Sequence, residues 1–259
     1  MTVANELIAA WTAGETISPP SGRYADFTLD GAYAVEAELR RLRIDSGRRV
    51  VGRKVGYANK AMWRALKLET LVWASMYDDT VHESASLNEL PLKGFIAPRI
   101  EPEIVFKLNR NVPAGGLDAA GALECVEWMA IGFEIIDCPF PGWQFKPVDF
   151  VAAFGLHRAL VVGEPSKIEP ASIPGLVDGL AAFKVRLSRN DQLVEEGSGR
   201  NSLRSPALCL AELASAAPLE AGEIISTGTL TGAQAIASGE PWRADVEGLP
   251  VSGLTLKFG

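Results

Sequence analysis

Three glutamates stand out for the chemistry their spacing allows. In Arg99-Ile100-Glu101-Pro102-Glu103-Ile104-Val105-Phe106 two carboxylates are two residues apart, and in Ala130-Ile131-Gly132-Phe133-Glu134-Ile135-Ile136 a third sits inside an apolar run. An extended strand sends alternate side chains to opposite faces, so Glu101 and Glu103 share one face while Ile100, Pro102, Ile104 and Phe106 share the other. The run around Glu134 reads as a strand buried on both sides, where an unpaired carboxylate costs several kcal/mol. A positive group must answer it. Carboxylate oxygens with no Cys or His nearby in sequence suit a hard divalent cation, Mg2+ or Mn2+, better than zinc. The spacing has a second reading: Glu-x-Glu on a strand is also the pattern of a solvated acidic face, and Glu134 also fits an outward residue on a half-buried strand.

The elements that must position these groups are legible in outline. Ala32, Val35, Leu39 and Leu42 recur at helical spacing, so the pattern predicts a helix over 29–46, with Thr28 or Asp30 as its cap and Gly47 at its end. A short helix over 3–12, a strand over 49–56, a helix over 60–68 and a helix over 118–129 leading straight into the Glu134 strand follow from the same reasoning. Val151 to Val162 reads as an apolar β run. Phe183 to Ser188 alternates before Arg189-Asn190-Asp191, with Leu193-Val194 returning as a hairpin partner, and 206–215 reads as a helix. Glycines at 222, 228, 232, 239, 248 and 253 punctuate short apolar segments, the pattern of a many-stranded sheet or barrel. The chain is thus expected to be α+β, with a small helical part at 1–48 and one β-rich domain at 49–259.

Composition narrows the function classes. With 259 residues, 47% of them hydrophobic, the chain is long enough to bury a sizeable core. Its 25 Lys and Arg against 32 Asp and Glu give a net charge of −7, which argues against nucleic acid as the main partner. The first residues lack the basic and apolar regions of a signal peptide, and no run approaches the length of a spanning helix, so a cytoplasmic protein with no membrane partner is expected. Cys125, Cys138 and Cys209 are odd in number and set among apolar residues, as reduced, packed thiols are. His82 and His157 lack triad or zinc-ligand spacing and are read as structural.

The segments Gly52-Arg53-Lys54-Val55-Gly56, Pro98-Arg99-Ile100-Glu101-Pro102-Glu103-Ile104 and Phe133-Glu134-Ile135-Ile136-Asp137 resemble the hydratase and decarboxylase branch of the fumarylacetoacetate hydrolase superfamily, from about residue 27 to the C-terminus. The 30 residues between Glu103 and Glu134 make the match specific. The resemblance implies a mixed β-roll, barrel-like core of that family's C-terminal-domain type. It makes Glu101, Glu103 and Glu134 the ligands of Mg2+ or Mn2+ and Lys54 the acid/base residue, its pKa lowered by burial and neighbouring cations. Thr229 and Thr231 fall in a loop resembling the family's substrate-lining segment.

The activity so implied is addition of water to 2-hydroxypenta-2,4-dienoate or a substituted analogue. Decarboxylation of 2-oxo-3-hexenedioate, hydrolysis of acylpyruvates, or service as a non-catalytic partner subunit are the alternatives. A decarboxylase needs a second cation for the distal carboxylate of its small 2-oxo acid, and Arg53, Lys60, Arg64, Lys146 and Arg158 are the candidates. Relatives carry an acid directly before Met76, where this chain has Ser75; Asp78 or Asp79 can substitute. Cys138-Pro139, Ala153-Phe154-Gly155 and Ser205-Pro206 also depart from the family pattern, which allows a changed or bulkier substrate. Trp143, Phe145, Phe150 and Phe154 are candidates for an apolar pocket wall. The resemblance further implies a homo-oligomer and possible association with a related pathway enzyme.

Overall fold

Thr28 caps the longest helix by accepting the Gly31 amide, and the residues that follow keep Ala32, Glu36 and Leu39 on one inward face. In the computed structural model, which describes residues 2–112 and 115–259 and so excludes Met1 of the expected helical part, that helix is α3 (Leu29–Asp45). It follows α1 (Val3–Ala13) and α2 (Pro20–Arg23). Ala4 and Leu7 of α1 join Ala32 and Leu39 in the same hydrophobic core as the sheet. Next come β1 (Val50–Gly56), α4 (Lys60–Leu66), β2 (Val72–Tyr77), β3 (Val81–Glu83), β4 (Arg99–Leu108), α5 (Ala119–Leu123) and β5 (Val126–Ile136). They are followed by α6 (Pro147–Ala152), β6 (His157–Val162), β7 (Ser166–Lys167), α7 (Ile173–Ala182), β8 (Lys184–Arg189) and β9 (Gln192–Ser198). The chain finishes with α8 (Pro206–Ala216), β10 (Ile224–Ser226), β11 (Gln234–Ala235), β12 (Pro241–Glu247) and β13 (Leu254–Lys257).

A nine-stranded mixed sheet runs β2-β1-β10-β4-β5-β6-β3, with β11 added on β4 and β7 on β5, and curls into a half-barrel. An antiparallel sheet β13-β12-β8-β9 lies beside it. Its β8–β9 hairpin turns through Asn190 and Asp191, both with positive φ, the backbone that matches strand twist in a two-residue turn.

Two stretches differ from expectation. The helix expected over 118–129 is only Ala119–Leu123, because Val126 onward is already paired with β4 and the ladder takes precedence over local helical preference. The expected β run over 151–162 is helix through Ala152, then a turn in which Phe154, Gly155 and Leu156 all take positive φ, and only then strand.

The large sheet has two unlike faces. Ile100, Ile104, Phe106, Ile131, Phe133 and Ile135 pack into the main core with the helices. The other face carries Glu101, Glu103 and Glu134 towards one end and the apolar cluster Met76, Val105, Ala130, Leu160 and Val162 towards the other. β10 is the keystone: it is parallel to β1 and antiparallel to β4, with Lys54 opposite Ser226 and Ser226 opposite Val105. Gly52 permits this approach, since a Cβ there would lie 1.8 Å from the Ile224 carbonyl oxygen. Gly52→Ala is therefore expected to destabilise the fold by at least about 2 kcal/mol through overpacking. Gly175→Ala, in α7 with open space around it, should be neutral or stabilising by up to about 1 kcal/mol. Urea unfolding midpoints check both; equal midpoints for wild type and Gly52→Ala would refute the account.

Candidate active site

The β4–β5 register sets Glu101 directly opposite Glu134 and Glu103 opposite Gly132. Like charges placed across a strand pair repel, more so when water is excluded. Glu103 and Glu134 are fully buried and Glu101 partly so, and one oxygen from each lies within 4.8 Å of the others. Glu103 Oε2 accepts from the Ser226 hydroxyl at 2.5 Å and from the Gly228 amide at 2.8 Å. Its Oε1 has no protein donor. An orphaned buried oxygen beside two further carboxylates is the donor set a hard divalent cation requires, so the residues fit such an ion.

Lys54 answers part of this charge. Its Nζ lies 2.9 Å from Glu134 Oε2 and donates to the Gly155 carbonyl at 3.0 Å. Gly155, at positive φ, leaves room for the lysine stem; a Cβ there would fall 2.8 Å from Lys54 Cδ. Burial alone would lower the ammonium's pKa, but the charges of Glu134, Glu101 and Glu103 outweigh it and the net shift is upward. That corrects the expectation of a lysine lowered by neighbouring cations: its neighbours are anions.

The carboxylates divide by partner. Burial, reinforced by their neighbours, pushes Glu103 well above the usual range, and burial likewise lifts Glu101 to about 7. Glu134 resists burial and is held below its ordinary value by Lys54 and by His157. His157, read as structural from its spacing, is a contact of the site: its Nδ1 lies 2.9 Å from Glu134 Oε1 and its Nε2 3.0 Å from the Thr80 hydroxyl. It sits on β6 beside Ile136, where the β5–β6 register shifts. No local spacing signals that pairing.

A cavity of about 530 Å³ opens onto these groups. Lys54, Glu101, Glu103, Thr229 and Thr231 line it, with Tyr57, Met62, Trp143, Phe145 and Phe150 along its sides. Phe154 does not line it; that side chain packs beside Trp11 and lines a small separate pocket with Thr80 and His157. Asp78 and Asp79 are not brought to the site. They sit in the turn after β2 and pair with Arg49 and with Arg43 and Arg48. The acid that reaches Ser75 is Glu36 of α3, which accepts from the Ser75 amide and hydroxyl on the opposite side of the sheet.

Lys146 is exposed at the start of α6, where its amide donates to Asp149, and lies outside the cavity. The other candidate cations are elsewhere too. Arg53 pairs with Glu223 and Lys60 with Glu212, Arg158 donates to the Trp11 and Gly94 carbonyls, and Arg64 is exposed. Lys54 is the one cation lining the cavity among the described residues. Cys125, Cys138 and Cys209 are buried free thiols, and burial pushes Cys138 up to about 11, which removes it as a nucleophile.

The fumarylacetoacetate (FAA) hydrolase C-terminal family model matches residues 76–255. A 2-hydroxyhexa-2,4-dienoate hydratase from Comamonas testosteroni is 30% identical over 96% of this chain and 94% of its own length. A 2-keto-4-pentenoate hydratase from Paraburkholderia xenovorans is 29% identical over 95% and 90%. Among solved structures, a 4-oxalocrotonate decarboxylase from Pseudomonas putida complexed with magnesium and adipate superposes with a TM-score of 0.88 at 22% identity, covering 99% of this chain and 96% of that one. The chain belongs to the fumarylacetoacetate hydrolase family and has its mixed α+β fold.

Two outcomes follow from the site's electrostatics. In metal-free protein, raised Glu101 binds more protons than the unfolded chain does between about pH 4.5 and 7, and Glu103 is raised in the same direction, so their contribution to stability is present at low pH and lost as pH rises through their folded-state values. Thermal midpoints in EDTA should fall from pH 5 to 8, and Mg2+ should raise the midpoint more at pH 8 than at pH 5. A flat EDTA profile would contradict the assignment. Separately, His157→Leu should weaken Mn2+ binding by about tenfold or more, because it frees Glu134 Oε1 of its partner, while His157→Asn, whose amide can stand in for Nδ1–H, should restore most of it. Equal Mn2+ affinities by EPR titration would make His157 a bystander.

Proposed function

We propose that this chain is a divalent-metal-dependent lyase that adds water to a 2-hydroxyalka-2,4-dienoate, giving a 4-hydroxy-2-oxo acid. The observation that carries the reading is the orphaned Glu103 oxygen set among Glu101, Glu134 and Lys54 at a cavity with no other cation among the described residues. Hydratase relatives at about 30% identity over nearly the whole chain support it. When bound by Glu101, Glu103 and Glu134, Mg2+ or Mn2+ would supply a Lewis acid for a chelating 2-oxo acid.

The chain's own groups account for the rest. Ser226 and the Gly228 amide fix Glu103 by donating to one oxygen, leaving the other for the ion. Lys54 holds a proton at Nζ inside the cavity and is the group we assign to protonate the far carbon of the dienoate, C5, and to take up in its place the proton that the 2-hydroxyl gives up. The resulting enone takes water across its conjugated double bond, hydroxyl at C4 and hydrogen at C3. Thr229 and Thr231, whose hydroxyls are also engaged within their own loop, line the space beside these groups and are assigned to the substrate.

Decarboxylation of a dicarboxylate is the weaker reading, since none of the candidate second cations faces the cavity. The proposal includes a cytoplasmic location and, from the family resemblance, a homo-oligomeric assembly that associates with a related pathway enzyme. Light scattering tests that part, and a mass of one 27.7 kDa chain would oppose it. Proton NMR with freshly generated 2-hydroxypenta-2,4-dienoate and Mg2+ should show 4-hydroxy-2-oxopentanoate, and none in EDTA. Glu103→Gln should abolish metal-dependent turnover with the fold intact. Lys54→Ala should lower kcat by about 10²-fold or more while Mn2+ still binds. Full activity in Glu103→Gln, or unchanged kinetics in Lys54→Ala, would remove that residue from the mechanism.

A further inference from the structure

The cavity is larger and more apolar than a five-carbon acid requires. Beside the polar groups Lys54, Glu101, Glu103, Thr229 and Thr231, its lining includes the apolar side chains Tyr57, Met62, Trp143, Phe145 and Phe150. The aromatic residues brace one another: Tyr57 meets Phe150 edge-on at 5.2 Å, Phe145 stacks with Phe150 at 6.5 Å and Trp143 lies 6.4 Å from Phe145. The wall begins at the lysine itself, since Nζ is 4.7 Å from the centre of the Phe150 ring. A substrate whose carboxylate end sits at the glutamates therefore directs its tail along aromatic surface.

The fixed charges of the lining disfavour one class of tail. Glu195 of β9 lines the cavity, its carboxylate held by the Gly232 amide at 2.9 Å and by Gln234 Nε2 at 2.7 Å. Arg99 stacks on the Trp143 ring at 4.1 Å and is not part of the lining. A second carboxylate on the substrate would meet a fixed anion and an apolar wall, with no cation besides Lys54 among the described lining residues to repay its lost hydration. An uncharged apolar group gains from the same surroundings.

We propose that this site selects 2-hydroxydienoate monocarboxylates carrying a bulky apolar, aryl-sized group at the distal end, and rejects dicarboxylates, with Trp143, Phe145, Phe150 and Glu195 as the specificity-determining residues. This deepens the hydratase reading and rests on it for turnover. The test compares 2-hydroxypenta-2,4-dienoate with the same acid bearing a benzyl group or a carboxylate on C5. The benzyl acid should exceed the parent in kcat/KM by about tenfold, chiefly through KM, and the dicarboxylate should fall about tenfold below it. Trp143→Ala should cut the benzyl preference at least about fivefold, and Glu195→Gln should narrow the rejection of the dicarboxylate.

Calorimetric binding of the corresponding saturated 2-oxo acids, with Mg2+ present, reads the tail preference without catalysis. Benzyl tightest and dicarboxylate weakest supports the proposal even where no acid is turned over, an outcome that would sink only the hydratase reading. A benzyl acid no better than the parent, or a dicarboxylate preferred and losing that preference in Arg99→Ala, overturns it.

Discussion

Everything in this protein bends around the placing of one carboxylate against another across two neighbouring strands. Glu101 faces Glu134 in the β4–β5 ladder and Glu103 follows two residues on, all on a face from which water is largely withdrawn. Such a cluster costs free energy unless it is answered. Lys54 and His157 answer Glu134, Ser226 and Gly228 answer half of Glu103, and the remaining oxygen is left over. The remainder is what a metal ion would satisfy. Binding free energy for such an ion comes partly from relief of repulsion already stored in the folded chain, a local conflict tolerated at a site where the rest of the sheet is consistent.

The division of labour between the sheet's two faces makes this tolerable. The face bearing Ile100, Ile104, Phe106, Phe133 and Ile135 forms the main core with the helices, so the strands are anchored without help from the glutamates. Rigid strands then hold the acids at fixed separation, which a loop would not do. Loops supply the contacts that fix the site's side chains: the segment after β10 donates to Glu103, and the turn before β6 presents the Gly155 carbonyl to Lys54.

The acids were legible in the sequence because strand alternation is a local rule, and two residues of spacing suffice to put Glu101 and Glu103 on one side. The helix over 29–46 and the 184–198 hairpin were legible for the same reason, each carrying its own cap or turn residues. What escaped depends on pairing between distant segments. His157 touches Glu134 only because β6 lies beside β5 with a shifted register, and Glu36 reaches Ser75 across 39 residues of chain. Lys54 was legible as a position, but the direction of its pKa shift was not, since the sign is set by which charges the fold brings close. The helix expected over 118–129 fails for a related reason: β4 captures the chain from Val126 onward.

The middle of the large sheet is filled by one of its latest and shortest strands. β10 is only Ile224–Ser226, yet it is the sole member joining β1 to β4 in the strand order. A nascent chain that has left the ribosome through α8 already contains Lys54, all three glutamates and His157, but β2-β1 and β4-β5-β6-β3 remain two separate ribbons. The glutamates are paired within the second ribbon, and Lys54 and the donors to Glu103 reach them only when β10 closes the sheet. Until those final residues emerge, the chain presents two unsatisfied strand edges, on β1 and on β4, each a template for wrong partners. The three glutamates and Lys54 all precede residue 135, yet the strand that joins their two ribbons begins only at Ile224.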